Sequence, residues 1–63
     1  MRRKIKAQRA LYGINQTQLA KATGLTRQSI HAIEAGKVNP KIGVAARIAN
    51  YFRMSIEELF END

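Results

Sequence analysis

Between Arg27 and Ala35 the chain reads RQSIHAIEA, and at 100° per residue its side chains separate by chemistry. Ile30, Ile33 and Glu34 fall on one side, Gln28, His31, Ala32 and Ala35 on the other, and Arg27 and Ser29 on the two flanks. The outward set is a hydrogen-bonding surface on a narrow rod. An Arg guanidinium can fork onto O6 and N7 of guanine, a Gln amide can pair with N6 and N7 of adenine, and an Ala can meet a thymine methyl. Arg27, Gln28, His31 and Ala32 carry the groups such contacts would use, and the two alanines would let the rod approach a partner closely. His31 carries the least specific signal, because a solvated surface histidine has the same pattern. As a metal ligand it fails: the chain has one His and no Cys, and Glu34 one turn away is only one further donor.

Other chemistries find few residues to work with. The one Asp is the C-terminal residue, the serines are Ser29 and Ser55 in capping or surface settings, and the single His has no orienting carboxylate besides Glu34. The four glycines are spread singly, so no phosphate-cradling loop of the GxGxxG or GxxxxGK kind exists. The expectation is a protein that is not an enzyme and needs no cofactor and no metal.

Short helices must position the rod. Gly13, Gly24 and Gly36 each follow a helix-compatible segment, where a left-handed C-terminal cap is needed. The segments after them open with N-cap residues: Asn15 before residues 16–23, Thr26 before 27–35, and Ser55 before 56–60, where SIEE fits a capping box. Pro40 precedes a segment of about residues 41–53 in which Ile42, Ala45, Ile48, Ala49 and Phe52 share one face of an amphipathic helix. No stretch alternates as a strand would. The fold expected is all-α, a bundle of five helices, in one domain spanning residues 1–63.

The pattern becomes most specific over residues 16–35, QTQLAKATGLTRQSIHAIEA. Ala20 is small where two helices cross closely, Gly24 tolerates the positive φ of a tight turn, and Leu19, Leu25, Ile30 and Ile33 face inward to fix the crossing. With IKAQRALYGIN before it and GKVNPKIG and VAARIANYFRMSIEELF after it, the chain resembles the Cro-like, xenobiotic-response-element type of helix-turn-helix family, with its lambda-repressor-like domain. The resemblance runs over almost the whole length. An aliphatic and an Arg in the first helix, Gln opening the second, the IE-x-G-K turn, a proline before the fourth helix and the Ser-x-x-E-L ending all match.

This resemblance implies a five-helix bundle that binds double-stranded DNA, usually as a homodimer, with residues 27–35 in the major groove. In that docking the N-terminal residues of the recognition helix reach base edges, which favours Arg27 and Gln28. Gln16 and Thr17, at the N-terminus of the second helix where free N–H groups attract anions, are candidate phosphate contacts. Ser29, and Lys37, Asn39 and Lys41 on the following loop, join them by analogy with relatives, as does a structural ion pair between Arg9 and Glu34. Val44, Tyr51 and Phe60 are the candidate dimer surface, with Phe52 and Leu59 assigned to the core. Three positions differ from the family pattern: Gln8 replaces a core aliphatic, Lys41 replaces a capping Ser, and Gly43 sits in a first helical turn at a cost of up to ~1 kcal/mol relative to Ala.

Charge agrees with a polyanionic partner. All eleven Lys and Arg lie within residues 2–53 against Glu34 alone, so that stretch carries +10, while Glu57, Glu58, Glu61 and Asp63 crowd the end. Residues 2–6 read as a frayed basic terminus, and Lys21, Arg47 and Arg53 as solvated surface. With no signal peptide and no membrane-length apolar run, the expected location is the cytoplasm. The expected function is a sequence-specific transcriptional regulator, and a repressor by occlusion of a promoter. The rival is a DNA-binding antitoxin, or another interaction module, that grips a protein partner through its C-terminal surface.

Overall fold

Helix ends, more than helix interiors, explain the path of the backbone in the computed structural model, which describes residues 3–60. Helix α1 spans Arg3–Tyr12, α2 Gln16–Thr23, α3 Arg27–Glu34, α4 Ile42–Tyr51 and α5 Ile56–Phe60, with no strand among the described residues. The first four helices stop in the same way. A residue with left-handed backbone follows each, at Gly13, Gly24, Gly36 and Arg53. The next residue then donates its N–H five positions back: Ile14 to Arg9, Leu25 to Ala20, Lys37 to Ala32 and Met54 to Ala49, at 2.8–3.0 Å. This Schellman closure satisfies carbonyls that the helix leaves open.

Helix starts are equally local. The Asn15 side chain accepts from the Gln18 N–H and the Gln18 side chain accepts from the Asn15 N–H, both at 2.8 Å, a full capping box on α2. Thr26 caps α3 by accepting from the Ser29 N–H, and Ser55 with Glu58 forms the reciprocal box at α5. Lys41, at the start of α4, makes no side-chain cap bond.

Each helix contributes one large, fully buried aliphatic to a single core: Ile5, Leu19, Ile30, Ile48 and Leu59 in chain order. At about 1.5–3 kcal/mol for burying each such side chain, this set ties all five helices to one centre. Ala20 is buried between α2 and its neighbours, and Phe52 closes one end, its ring 5.1 Å from both Tyr12 and Tyr51. The Tyr12 hydroxyl donates to the Phe52 carbonyl at 3.3 Å, pinning the end of α1 to the end of α4. Buried Thr23 spends its hydroxyl on the Leu19 carbonyl at 2.8 Å, so it burdens the core with no unpaired donor.

Three expectations are corrected. Ile42 does not face the core: it is 79% exposed, because it opens α4 and its side chain lies beyond the point where that helix docks, so burial begins at Ala45. Arg53 does not continue α4; its φ of 58° ends the helix, a role usually filled by glycine. Residues 3–6 do not fray, since α1 begins at Arg3 and Ile5 anchors it. Arg2, Glu61 and Asp63 lie outside the described residues.

Candidate nucleic-acid interface

Two helices and the turn between them set the orientation of α3. Gly24, at φ 73°, turns the chain, and Leu19 and Ala20 of α2 meet Ile30 and Ile33 of α3 in the core. With its inner side held there, α3 can present only the opposite side. Arg27, Gln28 and His31 are exposed on it, and their side chains make no hydrogen bond or ion pair with other described residues. Ala32 and Ser29 are half-buried at its margin. The Ser29 hydroxyl is engaged locally, accepting from the Thr26 hydroxyl at 2.9 Å.

Behind this face lies a polar network. Glu34, at the end of α3, is buried to 7% exposure and is gripped by Arg9 of α1: Nε donates to Oε2 at 2.6 Å and Nη2 to Oε1 at 2.9 Å. Nη1 of the same guanidinium donates to the Ile14 carbonyl at 3.3 Å. The hydrogen bond to Glu34 raises the Arg9 pKa above its ordinary value, against the opposing effect of burial, and the charge of Glu34 adds to the rise. Gln16, at the start of α2, donates its Nε2 to Glu34 Oε1 at 3.3 Å. One hydrogen of that amide is thereby committed to the core, which fixes the orientation of the other. The Gln16–Glu34 bond has no signal in the sequence spacing, whereas the Gln18 half of the α2 capping box does, since Asn15 and Gln18 stand three apart as Ser55 and Glu58 do.

Thr17 beside Gln16 is exposed, as are Lys37, Asn39 and Lys41 on the segment joining α3 to α4. Val44, Tyr51 and Phe60 are half-buried and pack on the core. The large apolar side chains most open to solvent are instead Leu11, Tyr12, Val38 and Ile42. Among the described residues no group of three His, Cys, Asp or Glu could hold a metal ion, and no helix is long and apolar enough to cross a membrane.

Comparison with known proteins bears directly on this arrangement. A family model described as helix-turn-helix matches residues 5–59, which includes all of α2, the turn and α3. Two archaeal relatives carry the name uncharacterized HTH-type transcriptional regulator. One, from Methanocaldococcus jannaschii, is 45% identical over 60 residues, covering 95% of this chain and 91% of its own. The other, from Archaeoglobus fulgidus, is 45% identical over 60 residues, covering 95% and 86%. A bacterial relative of the same description, YgzD of Bacillus subtilis, is 38% identical over 60 residues, covering 95% and 91%. A matched model over nearly the whole length, joined to a glycine-turned helix pair with an unbonded polar outer face, places this chain in the helix-turn-helix family of the Cro and xenobiotic-response-element type.

Proposed function

We propose that the chain is a sequence-specific transcriptional regulator that binds double-stranded DNA with α3 in the major groove and represses by occluding a promoter. The observation that carries this reading is the outer face of α3, where Arg27, Gln28 and His31 stand exposed and unbonded on a helix whose other side is fixed in the core. Donors left unused on a helix that is itself fixed in the core are suited to base edges. Arg27 and Gln28 read bases, with His31 and Ala32 beside them. Gln16, Thr17, Ser29, Lys37, Asn39 and Lys41 contact phosphates, which sets register and affinity without reading sequence. The regulator names of the relatives agree with this reading.

Two copies would place two such helices on half-sites about 34 Å apart. Val44, Tyr51 and Phe60 are the proposed seam.

Selection of bound duplexes from a random pool tests the proposal. The expected result is a short motif with two-fold symmetry whose affinity falls steeply with salt. Retention of no motif at low ionic strength would defeat the DNA reading, and a sedimenting species of one chain bound to an asymmetric site would defeat the paired one.

A further inference from the structure

Helix α1 has a flank that neither the core nor α3 uses. At 100° per residue, Lys4, Ala7, Gln8 and Leu11 fall together on it, while Ile5 turns into the core and Arg9, which grips Glu34, stands about 100° or more round the helix from each of them. Leu11 is 77% exposed, and Ala7 is exposed beside it. A concavity of about 390 Å³ runs along this stripe, lined by Lys4, Ala7, Gln8, Met54 and Glu58, so its far bank is α5 and the segment leading into it. Gln8 is half-buried there, and its amide makes no hydrogen bond with another described residue.

Charge narrows the choice of occupant. The chain carries +6, so two copies repel over most of their surface. Among the described residues the exposed acids are Glu57 and Glu58, both on α5, and Lys4 of α1 faces Glu58 across the concavity. The α1–α5 edge is therefore where the positive excess is locally offset, and where a second cationic chain can approach.

We propose that this stripe docks on the same stripe of a second copy with the two α1 helices antiparallel, each Leu11 seated over the partner's Ala7 and the two Gln8 amides bonded to each other near the two-fold axis. A primary amide offers both donors and an acceptor, so two of them close a reciprocal pair. The small Ala7 leaves room for the branched Leu11, and the two-fold relation makes each such contact twice. Direction follows from charge. Antiparallel helices centred between Ala7 and Leu11 hold the two Lys4 residues about 15 Å apart along the axis, beyond the screening length of about 8 Å at physiological salt. Parallel helices would press them together. This surface is separate from the seam of Val44, Tyr51 and Phe60 proposed above, because on α5 Glu58 and Phe60 stand on opposite flanks of buried Leu59. It also leaves the outer face of α3 uncovered, so a copy engaged through α3 keeps the stripe open to a neighbour.

The chain has no cysteine, so single introduced thiols report the geometry. Under mild oxidation Gln8→Cys should cross-link to itself, since a disulfide needs Cα atoms about 4.4–6.8 Å apart, and Lys4→Cys should not. Amide NMR signals of the unmodified chain, followed from dilute solution to about 1 mM, the Kd of a weak contact, should move with concentration at residues 4–11 and 54–58. Leu11→Gln should abolish those movements without changing the thermal midpoint in dilute solution, because Leu11 is already in solvent, and Leu11→Met should retain them. Equal cross-linking of Lys4→Cys and Gln8→Cys, or none in either, would overturn the antiparallel contact. So would movements that survive in Leu11→Gln, or signals that move only near Val44, Tyr51 and Phe60. Signals that stay fixed throughout would overturn it as well and leave the stripe to a partner other than a second copy.

Discussion

Arg9 and Glu34 meet through two parallel hydrogen bonds, of 2.6 and 2.9 Å, that join the first helix of the chain to the end of the third. A planar guanidinium and a carboxylate in this fork are matched in shape as well as charge. Because both side chains are largely buried, removing one strands the other. We expect Glu34→Gln or Arg9→Ala to lower stability by about 3–5 kcal/mol, which urea titration followed by circular dichroism would measure. The double replacement Arg9→Met with Glu34→Leu should recover most of that loss, since no charge is then left unpaired. Unchanged stability in Glu34→Gln would remove the structural role of the pair.

The same substitution should act with opposite sign at two glycines. Gly24 sits at φ +73°, so Gly24→Ala forces an L side chain into left-handed backbone at about 1–2 kcal/mol, although its Cβ would meet nothing closer than 3.7 Å. Gly43 lies in the first turn of α4 with open space around it. Gly43→Ala should therefore stabilise by up to about 1 kcal/mol. Each kcal/mol corresponds to roughly 4–8 °C in the midpoint of a thermal melt for a domain of this size. Melting both variants against the parent chain checks the sign.

Acid should loosen the start of α5. The Ser55 N–H, donating to the Glu58 carboxylate at 2.9 Å, holds the Glu58 pKa below its ordinary 4.5, with smaller help from the Ser55 side chain and Lys4. A depressed carboxylate contributes stability that is fully present above its unfolded value and is lost as pH falls through the folded one. The window for this contribution therefore opens below about 4.5. Glu58→Gln preserves the capping geometry without a titrating group and should flatten that part of the profile. An NMR titration placing Glu58 at or above the ordinary value would contradict the assignment.

Base contacts and phosphate contacts should separate under mutation. Arg27→Ala is expected to relax preference at one or two positions of a selected motif, at about 1–3 kcal/mol against the preferred base. Lys37→Ala should weaken every duplex alike and reduce the salt slope by about one. Binding isotherms at several salt concentrations, on the motif and on scrambled duplex, distinguish the two. Identical uniform weakening would mean that Arg27 does not read sequence.

Local signals were legible in the sequence because their causes are local. Asn15, Thr26 and Ser55 start helices through bonds to backbone only three residues away, and Gly13, Gly24 and Gly36 end them by tolerating positive φ. The fourth ending was illegible because it uses the same hydrogen-bond pattern with Arg53, whose side chain gives no notice of left-handed backbone. Ile42 misled for a related reason: periodicity reports which face of a helix is apolar but not where along its length the neighbours begin. At the candidate site, the wheel separated Gln28 and His31 from Ile30 and Ile33, whereas a concavity beside Ala32 depends on how the loop bearing Val38 folds back. That return path is a tertiary fact with no short-range signature.

The eight residues of α3 amount to a rod of about 12 Å. Base pairs rise about 3.4 Å apiece, so one copy can span fewer than four letters of text. A four-letter word recurs about once in 256 positions, far too often to single out one address among the roughly million or more that a genome offers. In the paired docking proposed above, vocabulary that small acquires meaning from spacing, and the distance between two rods carries information beside the letters beneath each.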